Sequence, residues 1–460
     1  MRKLLLIIVL FIVYSFSLCA QGNYDKCYFG TAGIDFGGVF PSVLINSQMI
    51  AVESAVSMCS ENGDLLFYSN GGNSPTVPTS FGAVWNANHE VMENGVLGDS
   101  SGCISSFQGA VAFPEMGGSS KSIGTSTYYI FMRDCVESSA SSPYFNSGLT
   151  YCEIDMDANN GLGKVVSKNN TVVAFNPGYG LSTSLEPVVA ILNGTDDGWY
   201  VFSYNLDSLY SVEFDNNGIG AIKTYMAGER KIIFSPSREH VVVGKKLYNF
   251  DVINNELSFN MSLSESNFAF SPNGKLIYGL GSSKLVQYDL TTSDISASKI
   301  TISTSVLAGS LNLAPDARIY FFNNDSESLP GYINCPNTVG LACDVTMNSI
   351  YLGGRHTGST FTNIPANFLY YDGSDCNLSV SSQRKEKTAF EVYPNPTNGL
   401  LTISVKNVTK PLPFQILSIE GKVVYSGMIK KPQEQINISS IQAGTYFVDV
   451  VGERKRVVVR

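Results

Sequence analysis

"FSPNGKLIYGL" (Phe270–Leu280) packs a turn and a strand into one short phrase. Pro272 and Gly274 set the turn, and the apolar run after them is rich in the branched and aromatic residues that pleated strands favour. The phrase returns. "FSPSRE" starts at Phe234 and "LAPDAR" at Leu313, and Pro236, Pro272 and Pro315 lie 36 and 43 residues apart. A second mark interleaves with it, a strand ending in aspartate: "YCEID", "SVEFD", "LYNFD" and "LVQYD" end at Asp155, Asp215, Asp251 and Asp289, at intervals of 60, 36 and 38 residues. A side-chain carboxylate at that position closes a turn by accepting nearby backbone N–H groups. A repeat of about 40 residues made of short strands and turns is the pattern of a β-propeller, one four-stranded sheet per blade.

The surrounding chain agrees. "DLLFYSN" (Asp64–Asn70), "TYYIFMRD" (Thr127–Asp134) and "GWYVFSYN" (Gly198–Asn205) are apolar runs bounded by Gly, Asn or Asp, and no window carries a convincing 3.6-residue period. The chain therefore reads as all-β. Residues 21–376, at 40–50 per blade, predict about seven blades, with six or eight as the alternatives. Gly/Ser-rich stretches at Gly71–Ser80 and Gly117–Ser126 put longer insertions in the early blades. A pair of β-sandwich domains would need a linker near the middle, and none is evident.

The N-terminus reads as an export signal over residues 1–20. Arg2 and Lys3 precede an apolar run from Leu4 to about Val13, and Ser17–Ala20 offers cleavage before Gln21. That run is too short to span a bilayer comfortably, and bulky Leu18 argues against lipidation of Cys19. No later segment reaches the ~18 apolar residues of a membrane helix, so the mature chain is expected to be soluble. Eight cysteines remain after Cys19, with no Cys-x-x-Cys, which in an exported chain favours disulfides over zinc. Cys335 with Cys343 and Cys135 with Cys152 are the preferred pairs, each close in sequence and flanking turns. Charge divides the chain: residues 21–376 hold 16 Lys+Arg against 33 Asp+Glu (net −17), and residues 390–460 hold 9 against 5 (net +4). The acidic part has no basic groove to offer nucleic acid.

Candidates for chemistry are few. "HEVME" at His89 starts like a zinc-binding helix, but Glu93 stands where the second histidine belongs, so His89 reads as structural. No nucleophile elbow, phosphate loop or dinucleotide fingerprint occurs. Asp155, Asp157 and Asn159 alternate like the start of a calcium loop. However, Asn160 replaces its glycine and Val166 its bidentate glutamate, so a hairpin turn is preferred and a weak calcium site is the alternative. No other cofactor is implied. Carboxylates at a propeller mouth would suit a hydrolase, but none among the 33 acids is singled out. Most aromatics fall within strands as core. Tyr144, Phe145 and Tyr179 lie in loops and are candidates for stacking on a surface glycan or protein ligand.

After a polar linker at 377–389, "EVYPNPTNG" (Glu391–Gly399) opens a segment of alternating apolar and polar runs. Residues 390–460 read as a small Ig-like β-sandwich of about seven strands. Its marks are Pro394, Asn395, Pro396 and Gly399, then Ile419, Glu420, Gly421 and Lys422. Ile441, Gly444, Thr445 and Tyr446 follow, and last Lys455, Arg456 and Arg460. In this it resembles the type A C-terminal sorting domain of the type IX (Por) secretion system of Bacteroidota, whose members usually carry Asp where Glu420 stands. The resemblance implies export by that machinery through the tail, removal of the tail near its linker, and release or attachment of the body at the cell surface. The body, in "CYFGTAGIDF" (Cys27–Phe36), "ENGDLLFYSNG" (Glu61–Gly71), "VWNANHEVMENG" (Val84–Gly95), "GLTYCEIDMDANNGLGKV" (Gly148–Val165) and "PNTVGLAC" (Pro336–Cys343), resembles a group of exported Bacteroidota propeller-like proteins with no common activity. Binding or adhesion is the expected role, with a secreted carbohydrate-active or other hydrolase as the alternative.

Overall fold

The computed structural model describes residues 22–38, 41–73, 81–97, 102–116, 126–134, 148–174, 186–205, 208–227, 231–306, 308–347, 349–359, 361–373, 390–405, 412–418, 423–450 and 453–460. The signal segment, the linker, Cys135, Tyr144, Phe145, Tyr179 and residues 419–422 lie outside them. The chain divides into two compact units, Met1–Cys376 and Asn377–Arg460. Helices among the described residues are short 3₁₀ turns, and none is long and apolar enough to cross a membrane.

The first unit is a β-propeller. Its described residues form antiparallel meanders in chain order. The first has three strands, Lys26–Phe29, Ala32–Asp35 and Ser42–Leu44, and six four-stranded blades follow. Blades two and three share one eight-stranded sheet, because the outer strands Val91–Val96 and Lys164–Val173 run parallel and pair at Glu93 and Lys164, whose side chains also form a 2.8 Å ion pair. The inner strands of blades two to seven are Val56–Cys59, Ala110–Pro114, Val189–Leu192, Ile232–Phe234, Asn267–Phe270 and Ser310–Leu313. Ala110–Pro114 is buried along its whole length, whereas the outer strand Glu256–Ser262 is largely solvated. Like Ala110–Pro114, the second strands Leu65–Ser69 and Thr127–Arg133 are largely buried, which explains why they read as short apolar runs rather than alternations. The ring closes where Phe29 of blade one packs on Phe322 of blade seven, ring centroids 5.4 Å apart.

The repeated marks are the turns predicted for them. Asp155, Asp215, Asp251 and Asp289 each accept, through Oδ1, the N–H two residues on, from Asp157 (2.9 Å), Asn217 (2.7 Å), Ile253 (3.0 Å) and Thr291 (2.9 Å). In the proline phrases the N–H of Arg238, Gly274 and Ala317 bonds the carbonyl three residues back, and each of those residues has φ between 63° and 71°. Between blades, aromatic rings interleave: Phe113 stacks on Trp199 at 4.6 Å, and Trp199 Nε1 donates to Pro114 O at 3.1 Å. Most strand aromatics of the body are core, as their placement implied, with Phe259 and Tyr351 among the exposed exceptions.

The cysteine pairs need correction. Cys152 and Cys343 are free, buried thiols, so neither expected disulfide forms. Cys152 points into the core beside blade three's inner layers, and Cys343 sits in the core next to Tyr278. Burial pushes their thiols up to about 12 and about 11, so they act as small apolar groups. Nearness in sequence failed as a guide because the strand pleat, not spacing, decides which way a side chain faces. Cys103 and Cys335 are the disulfide-bonded cysteines among the described residues.

The second unit is a sandwich of two antiparallel sheets. One joins Phe390–Tyr393, Leu400–Val405 and Gln433–Asn437, and the other Val423–Ile429, Leu412–Ser418, Gly444–Val450 and Glu453–Val459. Leu401, Ile403, Phe414, Ile416, Val448 and Val457 fill the space between them.

Candidate functional site

Residues 361–373 occupy the axis of the propeller. Asn363 N–H bonds Ala55 O (2.9 Å), at the leading end of the inner strand Val56–Cys59. Farther on, Leu192 N–H bonds Asn367 Oδ1 (3.3 Å) at the trailing end of Val189–Leu192, and Tyr371 N–H bonds Pro272 O (3.1 Å) just past Asn267–Phe270. The segment thus runs from one end of the inner strands to the other. Asn363 Nδ2 donates both to Ala110 O (2.7 Å) and to Val188 O (2.8 Å), so this one residue, through its side chain and its main-chain N–H, ties blades two, three and four together. Phe368 anchors the far end against Tyr24 and Trp199. Where a propeller ordinarily has a channel, this one has its own chain.

Beside that segment a cavity of about 110 Å³ remains, facing blades four to seven. Val189, Ile232, Phe268 and Leu311 line it from the inner strands, and Phe361 and Ile364 from the axial segment. Among the described residues, Lys231 is the one ionisable residue in its lining. Burial pulls its amino group down to about 8.

In the second unit the marks of the tail converge. Asn395 Nδ2 donates to Arg456 O (2.8 Å), and its Oδ1 accepts from Val458 N–H (2.9 Å). Thr397 N–H bonds Val458 O (2.8 Å), and Arg460 N–H bonds Thr397 O (2.9 Å). The turn from Pro394 to Gly399 is therefore laced to the terminal strand, about 60 residues away in sequence. Gly399 has φ +117°, and a Cβ there would lie 3.0 Å from Ser439 Cβ, so the turn admits glycine alone without strain. Gly444 lies under the Tyr446 ring, whose hydroxyl donates to Gln442 O (2.9 Å). Lys455 lies 5.8 Å over the Phe390 ring, and with Arg456 it is exposed. Gly421 and Lys422 fall outside the described residues. The sequence of residues 391–460 matches the family described as the secretion system C-terminal sorting domain.

The protein is a type IX secretion substrate. Such a substrate is secreted or held at the cell surface, and its tail is the part the export machinery reads. No curated protein matches the chain. Among solved structures, the periplasmic gluconolactonase PpgL of Pseudomonas aeruginosa is 10% identical, the match covering 88% of this chain and 100% of that one at a TM-score of 0.37. A putative 6-phosphogluconolactonase from Bacteroides fragilis is 12% identical over 80% and 97%, TM-score 0.37. PorZ of Porphyromonas gingivalis, a surface component of the type IX system, is 12% identical over 95% and 74%, TM-score 0.32. At these values none carries a ligand or an activity across.

The other candidate residues of this secretion substrate are placed as follows. His89 sits in a turn at φ 64°, its Nδ1 3.2 Å from the Tyr68 phenol oxygen and its Nε2 2.6 Å from Asn46 Nδ2, a position in the wall of blade two. His240 and His356 lie on other parts of the ring, in blade five and after blade seven. Asp155 spends an oxygen on its own turn, and among the described residues no three His, Cys, Asp or Glu side chains gather in a metal-holding group. Sequence reasoning missed an acid pair, Asp25 and Asp35. A Cβ on Gly37 would lie 2.7 Å from Asp25 Oδ2 and 3.2 Å from Asp35 Oδ1, so those oxygens are within about 6 Å of each other. Burial, then the charge of Asp35, pushes the Asp25 carboxyl up to about 6, and Lys26 opposes the rise. Gly63 also closes on Asp25: a Cβ there would lie 2.5 Å from Asp25 Oδ2. Lys231 and Asn363 were also missed. Nothing in the sequence singles out either: Lys231 directly follows Glu229 and Arg230, and Asn363 stands beside Thr362.

Proposed function

We propose that the propeller body is a non-catalytic binding module delivered to the cell surface or medium by its sorting domain. The observation that carries this reading is the axial segment 361–373, which fills the funnel in which a propeller hydrolase would gather its acids. The contact surface then falls on the exterior. Ile45, Ile50, Phe81 and Tyr351 are exposed apolar side chains, and Asn70 Nδ2 bonds both Ile50 O (3.2 Å) and Phe81 O (3.1 Å), holding two of them together. Exposed aromatic and aliphatic groups beside the amides of Asn46 and Gln48 suit a neutral glycan or a protein face.

The test is binding of the secreted protein to arrayed glycans and to purified extracellular proteins, beside the variant Phe81→Ala/Tyr351→Ala. Saturable binding lost in the variant, with no product formed, is expected. The hydrolase alternative draws its support from the Asp25–Asp35 pair. Turnover of a glycoside, ester or lactone that Asp25→Asn abolishes would overturn the binding reading.

A further inference from the structure

The strongest unexplained feature of the body is a cation beside an apolar hole. Lys231 lines the cavity next to the axial segment and has no ion pair among the described residues. The side-chain partner of its Nζ is the neutral Asn267 Oδ1, at a long 3.4 Å. Its backbone stands at φ 95°, a left-handed conformation that a lysine adopts only when its surroundings impose it. Three neighbouring polar side chains are already engaged with the backbone. Gln108 bonds Ile232 through both amide ends (3.4 and 3.3 Å), Asn363 holds two carbonyls, and Thr362 Oγ1 donates to Tyr28 O (2.6 Å). Among the described residues the cavity offers a guest one ammonium, the amide of Asn312, whose Nδ2 donates to Ser310 Oγ (3.3 Å), and a hydrocarbon wall of Val189, Phe268, Leu311, Phe361 and Ile364.

We infer that this cavity binds a short aliphatic monocarboxylate, Lys231 pairing with the carboxylate and the apolar wall with the tail. An unpaired, partly buried ammonium is costly, and an anion brought to it removes that cost. An inorganic anion would satisfy the charge but leave the apolar wall facing water or void. An alcohol would fill the wall and leave the charge. About 110 Å³ at roughly 10–15 Å³ per water site corresponds to about eight waters, the bulk of a four- to six-carbon acid. The lowered pKa of Lys231 adds a signature. A bound carboxylate holds the ammonium charged, so binding above pH 8 takes up a proton.

The experiment is calorimetric titration of the full-length protein with butyrate, butanol and sulfate at pH 8.5, in two buffers of different ionisation enthalpy. Butyrate is expected to bind at least tenfold tighter than butanol or sulfate, with a buffer-dependent heat that reports proton uptake. Lys231→Met removes a buried charge and is expected to stay folded, lose butyrate binding by at least tenfold and lose the buffer dependence. Ala190→Leu, which fills the cavity and keeps the lysine, is expected to lose binding as well. Butyrate no tighter than butanol or sulfate, or equal binding by both variants, overturns the inference. Neither result bears on whether the exterior binds a partner.

Discussion

Glu265 lies 8% exposed beneath Gly279 and Gly281, and three donors meet its carboxylate: Lys299 Nζ at 2.7 Å, Tyr288 OH at 2.8 Å and Ser264 Oγ at 2.9 Å. Burial works to raise its pKa, but the bonds from Lys299, Tyr288 and Ser264 outweigh it and hold it below the ordinary value of 4.5. A depressed carboxyl stabilises the fold above its unfolded pKa and loses that contribution as pH falls through the folded one. Lys299→Met should therefore cost about 1–3 kcal/mol at pH 7. The difference from wild type should shrink below pH 4.5, as measured by urea unfolding across pH. A difference unchanged at pH 3 would show that lost packing, not charge, is responsible. Nothing in the sequence marks this site, since Glu265 and Lys299 are 34 residues apart and meet only when blade six closes on itself. Asp155, Asp215, Asp251 and Asp289 were readable for the opposite reason. Their partners are two residues away, and a local bond needs no tertiary structure to be foreseen.

Among the elements, the axial segment depends most on distant partners. Asn363 donates to carbonyls 253 and 175 residues earlier, and Thr362 to one 334 residues earlier. Asn363→Ala leaves both carbonyls short of a donor and should cost about 2–3 kcal/mol. Asn363→Asp should cost more at pH 7, because a carboxylate would face two carbonyl oxygens with nothing to donate. That excess should narrow on acidification as the carboxyl gains a proton. Equal unfolding midpoints for the two variants at pH 7 would contradict this account. The blade strands were legible as elements because each is short, apolar and bounded by turn residues. "FTNIPANFL" gave no comparable sign. A segment that pairs with no neighbour in sequence carries neither a period of 2 nor one of 3.6.

Across the whole molecule, the two units carry different parts of the task. Asn395 and Thr397 bond Arg456, Val458 and Arg460, so the tail's first and last marks form one seam within a unit of its own. Deleting Phe390–Arg460 should leave the propeller folded and strand it in the periplasm, as read by cell fractionation. Normal surface display of the truncated chain would refute the tail's role. The repeat of about 40 residues, the turn chemistry and the tail's marks were settled by the sequence itself, because each rests on contacts between residues near in the chain or on a local backbone requirement. Which cysteines stay reduced, which acids meet, what fills the propeller axis and where a lone lysine finds a cavity were decided only in the tertiary structure. Each depends on which face of a strand a side chain takes and on partners scores of residues away, and a one-dimensional pattern records neither.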